Sequence, residues 1–299
     1  MSEVFGGGKG SGKLSPVVLV RVRAGAEAIN AQDSITPQAF GSGDQVYTTS
    51  RTNASGNATT RYFPYRAAGK LWFKNGSIPS TCSASLIKRG VMVTAAHCVA
   101  EFGKKQFYSA WRFAPGYDNG VAPFGQATAK KVYVNSSYFD GTASCAQSGV
   151  VCTNDIAVIV LNTNIGNTTG WYGYGVNGYG YRNNQVLISQ LGYPGGLDKS
   201  NLQMRTESQG YVSAVDSNNT VIGSLQNGGS SGGPWLVNLG MAPSLSGISF
   251  GSAASYNIVV GVTSWGWGNG QQQQGASSFT SDNILPLVSL ACKDFPSSC

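Results

Sequence analysis

The chain has 299 residues, 20 basic and 13 acidic side chains, a formal charge of +7 and a single histidine. Charged residues make up only 11%, against about 25% in an average globular domain, yet 41% hydrophobic content with 11% aromatics can bury a large core, which excludes disorder throughout. No apolar run approaches the ~18 residues of a membrane span, and one imidazole excludes zinc sites built on two or three histidines.

Residues 1–60 are rich in Gly, Ser, Thr, Ala and Asn with little periodicity, and read as an N-terminal arm or pro-segment. The apolar stretch 16–20 is too short for a signal-peptide core, and Glu3 stands where basic residues are expected. Residues 7–13 have P-loop spacing, but Leu14 occupies the position where Ser or Thr must meet magnesium, and no strand precedes it.

From residue 70 the pattern turns to β. Short apolar or alternating runs at 70–73, 83–87, 91–95, 107–113, 131–134 and 156–161 are punctuated by Gly, Asn, Ser and Pro. Residues 162–184 form a Gly/Tyr/Asn-rich linker with no strand pattern; the Gly173-x-Gly175-x-x-Gly178 spacing within it lacks the βαβ context of a dinucleotide site. A second series follows at 186–191, 202–206, 211–215, 235–237 and 258–264. Residues 268–278, including 271–274, read as a polar loop. The best helix covers 282–290, with an acidic start and Ile284, Leu287 and Val288 on one face. The expected organisation is an arm (1–60), a first β unit (61–165), and a linker, second β unit and C-terminal helix (166–299). Basic residues are scattered, so the charge reads as a solvated surface; a nucleic-acid groove would need a basic stripe.

Six cysteines, Cys82, Cys98, Cys145, Cys152, Cys292 and Cys299, allow fifteen pairings. Proximity in sequence favours Cys82–Cys98, Cys145–Cys152 and Cys292–Cys299. No Cys-x-x-Cys occurs, so disulfides and an oxidising, extracellular compartment are expected in preference to a metal site.

Any chemistry that needs an imidazole falls to His97, directly after the strand at 91–95. Asp155 leads an unbroken apolar run and should be drawn inside, where its charge is costly unless paired. A buried carboxylate that accepts from an imidazole Nδ1–H fixes the tautomer and stabilises the imidazolium formed in catalysis. In Gly228-Gly229-Ser230-Ser231-Gly232-Gly233-Pro234, glycines on both sides of a serine let the backbone bend sharply, and the Gly229 and Ser231 amides can converge as an oxyanion hole. The same spacing fits the nucleophile elbow of α/β-hydrolases, but that fold places its histidine after the serine. None follows Ser231. A subtilisin order would need an aspartate ahead of His97, and only Asp33 and Asp44, in the arm, are available.

The blocks Thr94-Ala95-Ala96-His97-Cys98, Asn154-Asp155-Ile156-Ala157, Gly229-Ser230-Ser231-Gly232-Gly233-Pro234 and Ser264-Trp265-Gly266 stand in the order of trypsin-like serine endopeptidases. The chain resembles that family, and more narrowly its bacterial glutamyl-endopeptidase (V8-like) branch. The resemblance implies an all-β fold of two antiparallel six-stranded β-barrels with a short C-terminal helix and the site in the cleft between them. Ser231 would be the nucleophile, His97 the general base, Asp155 its orienting partner, and Gly229 and Ser231 the oxyanion donors. Cys82–Cys98 would be the disulfide beside the histidine, and Ser264-Trp265-Gly266 would pair with the substrate main chain as an added strand. A secreted monomer acting on protein or peptide substrates follows, needing no metal or organic cofactor and binding neither nucleic acid nor membrane.

Four positions depart from the family pattern. Ser230 replaces the aspartate that captures a new N-terminal ammonium in animal enzymes, so activation is expected not to depend on that pair. Leu225 stands at the base of the P1 pocket where a trypsin has aspartate. Thr263 stands where glutamyl endopeptidases have a histidine, and Gln226 replaces a small hydroxyl residue near the pocket wall. A neutral or moderately polar P1 side chain is therefore expected. The alternative, a catalytically silent protease-like binding module or adhesin, is opposed by the presence of all three triad residues.

Overall fold

A computed structural model of the chain describes residues 2–15, 45–54, 57–213, 219–241, 255–267 and 272–299. Strands β1 (Glu3–Phe5) and β2 (Tyr47–Arg51) come first. The next segment carries β3 (Ala68–Asn75), β4 (Ile78–Lys88), β5 (Val91–Thr94), a small hairpin of β6 (Ala100–Glu101) and β7 (Gln106–Phe107), then β8 (Ser109–Pro115) and β9 (Ala127–Val134). Helix α1 (Ser136–Asp140), a hairpin of β10 (Cys145–Gln147) and β11 (Val151–Cys152), and β12 (Ala157–Leu161) complete this half. The second half holds α2 (Gly166–Thr169), β13 (Gly173–Val176), β14 (Gln185–Gly192), β15 (Met204–Val212), β16 (Asn219–Gly223), β17 (Pro234–Val237), β18 (Ile258–Gly266), β19 (Gln273–Ser278) and α3 (Ile284–Asp294).

Two closed, antiparallel six-stranded barrels result. The first runs β12–β5–β4–β3–β8–β9 and back to β12. The second runs β14–β15–β16–β19–β18–β17 and closes on β14. Closure removes the free edges on which long antiparallel strands would otherwise associate. Strands β5 and β12 are buried along their whole length, which is why they read as continuous apolar runs rather than alternating ones. Each fully buried Val or Ile there contributes about 1.5–3 kcal/mol. Helix α3 buries Ile284, Leu287, Val288 and Ala291 against β12 and β9. It starts where the Asn283 side chain accepts from the Ile284 N–H at 2.6 Å, and is followed by the Cys292–Cys299 bridge.

Several sequence expectations change. The stretch 162–184 is not a plain linker: it carries α2 and β13, and β13 pairs in parallel with β18. Residues 204–206 of the run at 202–206 and 211–212 of the run at 211–215 belong to the one strand β15, 214–215 lie outside the described residues, and 107–113 is divided between β7 and β8. The expected polar loop at 268–278 is β19 from Gln273 onward and is buried there; 268–271 lie outside the described residues. Strands β6 and β16 and the short pair β10–β11 lie outside every predicted run. Of the first 60 residues, β1 pairs with β13 and β2 with β15. Ser11, Gly12 and Ser15 donate backbone bonds to Asn167, Thr168 and Pro123.

Candidate active site

His97 sits on a single 3-10 turn, Ala96–Cys98, immediately beyond β5. The turn is anchored by the Cys82–Cys98 disulfide to β4, and the Trp111 indole donates to the Cys98 carbonyl at 3.2 Å. Asp155 follows the β10–β11 hairpin, closed by Cys145–Cys152, and is fully buried. Its loop is tied on several sides. Ser277 Oγ donates to the Cys152 carbonyl at 2.6 Å, Asn283 Nδ2 to the Thr153 carbonyl at 3.1 Å, and Asn154 Nδ2 to Ser137 Oγ at 3.0 Å.

The Asp155 carboxylate meets His97 twice: the backbone N–H donates to Oδ1 and ring Nδ1 to Oδ2, each at 2.8 Å. An ionised carboxylate only accepts, so the proton lies on Nδ1 and Nε2 is left with its lone pair for the cleft. Ser264 Oγ reaches the same Oδ2 and the Val150 carbonyl; its one proton serves the charged acceptor better. Burial pulls the His97 pKa down, but the Asp155 charge and hydrogen bond outweigh it and hold the imidazole above its ordinary value of 6.5. The His97 side chain keeps 23% exposure against none for Asp155, so one face of the ring remains open.

Ser231 lies on the connection between β16 and β17, where the glycines are sterically required. Gly229 and Gly232 have φ of +97° and +77°. A Cβ at 232 would stand 2.0 Å from Thr94 Oγ1 and 2.4 Å from the Ser83 carbonyl; one at 229 would stand 2.6 Å from the Tyr193 carbonyl. This close approach lets the Ser83 N–H bond the Ser231 carbonyl at 2.7 Å, while the Gly232 N–H bonds the Thr263 carbonyl at 2.7 Å. Ser231 is thus seated between β4 of one barrel and β18 of the other. The N–H groups of Gly229 and Ser231 donate to no protein group among the described residues, which leaves them for an oxyanion.

A cleft of about 570 Å³ brings His97 and Ser231 together with Leu225, Gln226, Thr263, Ser264, Trp265 and Gly266. Apart from His97, no ionisable side chain lines it among the described residues. Thr263 Oγ1 is engaged by Gln190 Nε2 at 2.9 Å and by the Trp235 indole at 2.8 Å, and Gln226 Nε2 donates to Thr206 Oγ1 at 3.2 Å.

Two residues of this neighbourhood, Ser83 and Gln190, escape sequence reasoning, and a third, Gln274, falls in the tract read as a polar loop. Ser83 Oγ donates to the Gly229 carbonyl at 2.9 Å and accepts from the Tyr193 N–H at 2.9 Å. Gln190 and Gln274 are buried beneath the cleft. The sole local signal was a polar residue within a strand, which solvent-facing positions also show.

A sequence profile of the trypsin family matches residues 53–284. The chain belongs to the trypsin family. A glutamyl endopeptidase of Bacillus licheniformis is 27% identical over 136 residues, 46% of this chain. An extracellular metalloprotease of Bacillus subtilis (strain 168) is 32% identical over 133 residues, 43% of this chain. Each match spans 38% of the relative's own length. Among solved structures, the protease Anisep from Arthrobacter nicotinovorans superposes with a TM-score of 0.58 at 24% identity, covering 76% of this chain and 96% of that one. A Glu endopeptidase in complex with MPD gives 0.58 at 23%, covering 81% and 95%. A thermostable serine protease, AL20, gives 0.60 at 21%, covering 76% and 97%. These likenesses show the two-barrel fold of trypsin-family proteins. The one His/Cys/acid cluster among the described residues, Cys82, His97 and Cys98, does not suit a metal: its two sulfurs are bonded to each other and His97 Nδ1 is directed at Asp155.

Proposed function

We propose that this trypsin-family chain is a secreted serine endopeptidase that cleaves peptide bonds through an acyl-enzyme formed on Ser231. The observation that carries the reading is the meeting in one cleft of Ser231 and a His97 whose Nδ1 is bound to buried Asp155, on a loop whose Gly229 and Ser231 amides donate to no protein group among the described residues.

In the first step a substrate strand pairs with Ser264-Trp265-Gly266 and its carbonyl enters the site. His97 Nε2 takes the Ser231 Oγ proton as Oγ bonds to the carbonyl carbon, and the carbonyl electrons move onto oxygen. The Gly229 and Ser231 amides hold that oxyanion, each such donor being worth roughly 3–4 kcal/mol of barrier. The tetrahedral species collapses when His97 returns the proton to the leaving amine. Water then attacks the ester through the same cycle and frees Ser231 and the acid product. Asp155 stays ionised and stabilises the imidazolium.

Specificity rests on the uncharged cleft. Leu225, Gln226 and Thr263 present no charge to a Lys, Arg or Glu side chain, which supports a neutral or moderately polar P1. Secretion is supported by three disulfides and by the extracellular relative. Profiling of a peptide library with the wild-type chain and with Ser231→Ala tests the reading. Internal cleavage after uncharged residues, abolished in the variant, is expected. Retained cleavage in Ser231→Ala, or a strict Glu or Arg preference, would overturn the mechanism or the pocket assignment respectively.

A further inference from the structure

Ser230, fully buried, lies between Gly229 and Ser231, the two residues whose amides are proposed above as oxyanion donors. Its N–H and its Oγ both donate to the Asn227 carbonyl, at 3.0 and 2.6 Å, pinching residues 227–230 into a tight turn. A serine hydroxyl has one proton and two acceptor sites. The proton is spent on Asn227, and an acceptor site is filled by Gln274 Nε2 at 3.1 Å.

Gln274, buried on β19, is itself held. Its Oε1 accepts from Gln190 Nε2 on β14, and Gln190 Oε1 accepts from Ser224 Oγ at 2.8 Å. Ser224 Oγ accepts in turn from the Gln226 N–H at 3.1 Å, at the start of the same loop. Reversing the Gln274 amide would set Nε2 against the Gln190 NH2 group, so the network also fixes which end faces Ser230. The chain of bonds leaves the nucleophile loop at Ser230, crosses the barrel interior and re-enters the loop at Ser224 and Gln226. Every side chain in it is uncharged.

We propose that Gln274 is a positioning residue of the reaction: through Ser230 it holds the loop that carries the Gly229 and Ser231 amides in its working shape, as a neutral latch. A neutral latch suits this place, since a buried charge there would require a countercharge. Gln274 also lies opposite Gly266 in the β18–β19 ladder and lines the cleft, so the latch adjoins the site a P1 side chain would occupy. The inference rests on the endopeptidase reading above.

A double-mutant cycle on the full chain tests it, with Gln274→Met, Ser230→Ala and the pair assayed on a peptide substrate. Values are normalised to the fraction of sites titrated by a fluorophosphonate. Gln274→Met keeps the volume and removes both polar ends. It is expected to lower kcat roughly 10- to 100-fold, the scale of a sub-ångström to 1 Å misplacement, with KM within about twofold. In the Ser230→Ala background the same substitution should change kcat less than about threefold, because the bond it acts through is already gone. Independent losses in the two single variants, or a wild-type kcat in Gln274→Met, would overturn the latch. Should Gln274→Met fail to fold, Gln274→Leu carries the same expectation. A wild-type chain without turnover or labelling would instead remove the endopeptidase reading itself.

Discussion

His97 and Asp155 come from the first barrel and are held to each other by hydrogen bonds to a buried carboxylate, whereas Ser231 comes from the second and is held by backbone bonds and neutral side chains. On the first side the decisive contacts are the two 2.8 Å bonds to a fully buried carboxylate. On the second they are glycine turns at φ +97° and +77° pressed against Ser83, Thr94 and Tyr193, with Gln274 behind Ser230. The difference assigns distinct vulnerabilities. The charged side sets pH dependence and the tautomer, while the neutral side sets where the proposed nucleophile and oxyanion donors stand.

The largest expected effect breaks the charged side. Asp155→Asn should reduce kcat by about 10⁴-fold, the loss that follows when this partner no longer fixes the imidazole tautomer. The pH profile sharpens the same point. His97 must be neutral at Nε2 to act as base, and its pKa lies above 6.5 because Asp155 favours the imidazolium. In the wild type the rising limb of kcat/KM should therefore have its midpoint above pH 6.5, and a midpoint below that value would contradict the assignment. In stability, the His97–Asp155 contribution is fully present below the unfolded imidazole pKa and is lost as pH rises through the folded one.

The neutral side should break sterically. Gly232→Ala places a Cβ at 2.0 Å from Thr94 Oγ1, in a backbone conformation that disfavours side chains. A loss of about 3 kcal/mol or more in denaturant unfolding is expected, since backbone strain and overlap add. Unchanged stability would mean the two barrels are not locked together at this point. A smaller effect is expected from Ser83→Ala, which removes the bond to the Gly229 carbonyl and leaves the Tyr193 N–H without its acceptor. About 1–3 kcal/mol of stability should go, with kcat falling and the pH midpoint unmoved. A shifted midpoint would show that the two sides of the site are not separable.

The division also explains what could be read from the chain. His97, Asp155 and Ser231 were legible because each is framed by local pattern: a buried strand ahead of His97, an apolar run after Asp155, glycines around Ser231. The proximity pairing of the six cysteines matches the three bridges present in the structure. Strands β5 and β12 and helix α3 stood out for the same reason, an uninterrupted or 3.6-periodic apolar face. Strand β19 was hidden because Gln273, Gln274 and Ser277 look solvent-facing, and their burial depends on partners far away in sequence. Gly likewise hid β13, and β2 was hidden because it has no apolar alternation; both owe their strand character to pairing, with β18 and β15. The polar interior network that joins Gln190, Ser224, Gln274 and Ser230 has no local signature as a network, because its bonds link residues far apart in sequence.

The most direct test of the central claim is stoichiometric labelling with a fluorophosphonate, followed by mapping of the modified peptide. One equivalent is expected, on Ser231, at a rate that rises with pH through the His97 titration and is lost in Ser231→Ala. A folded chain that takes up no label, or that is labelled equally in Ser231→Ala, would contradict the account.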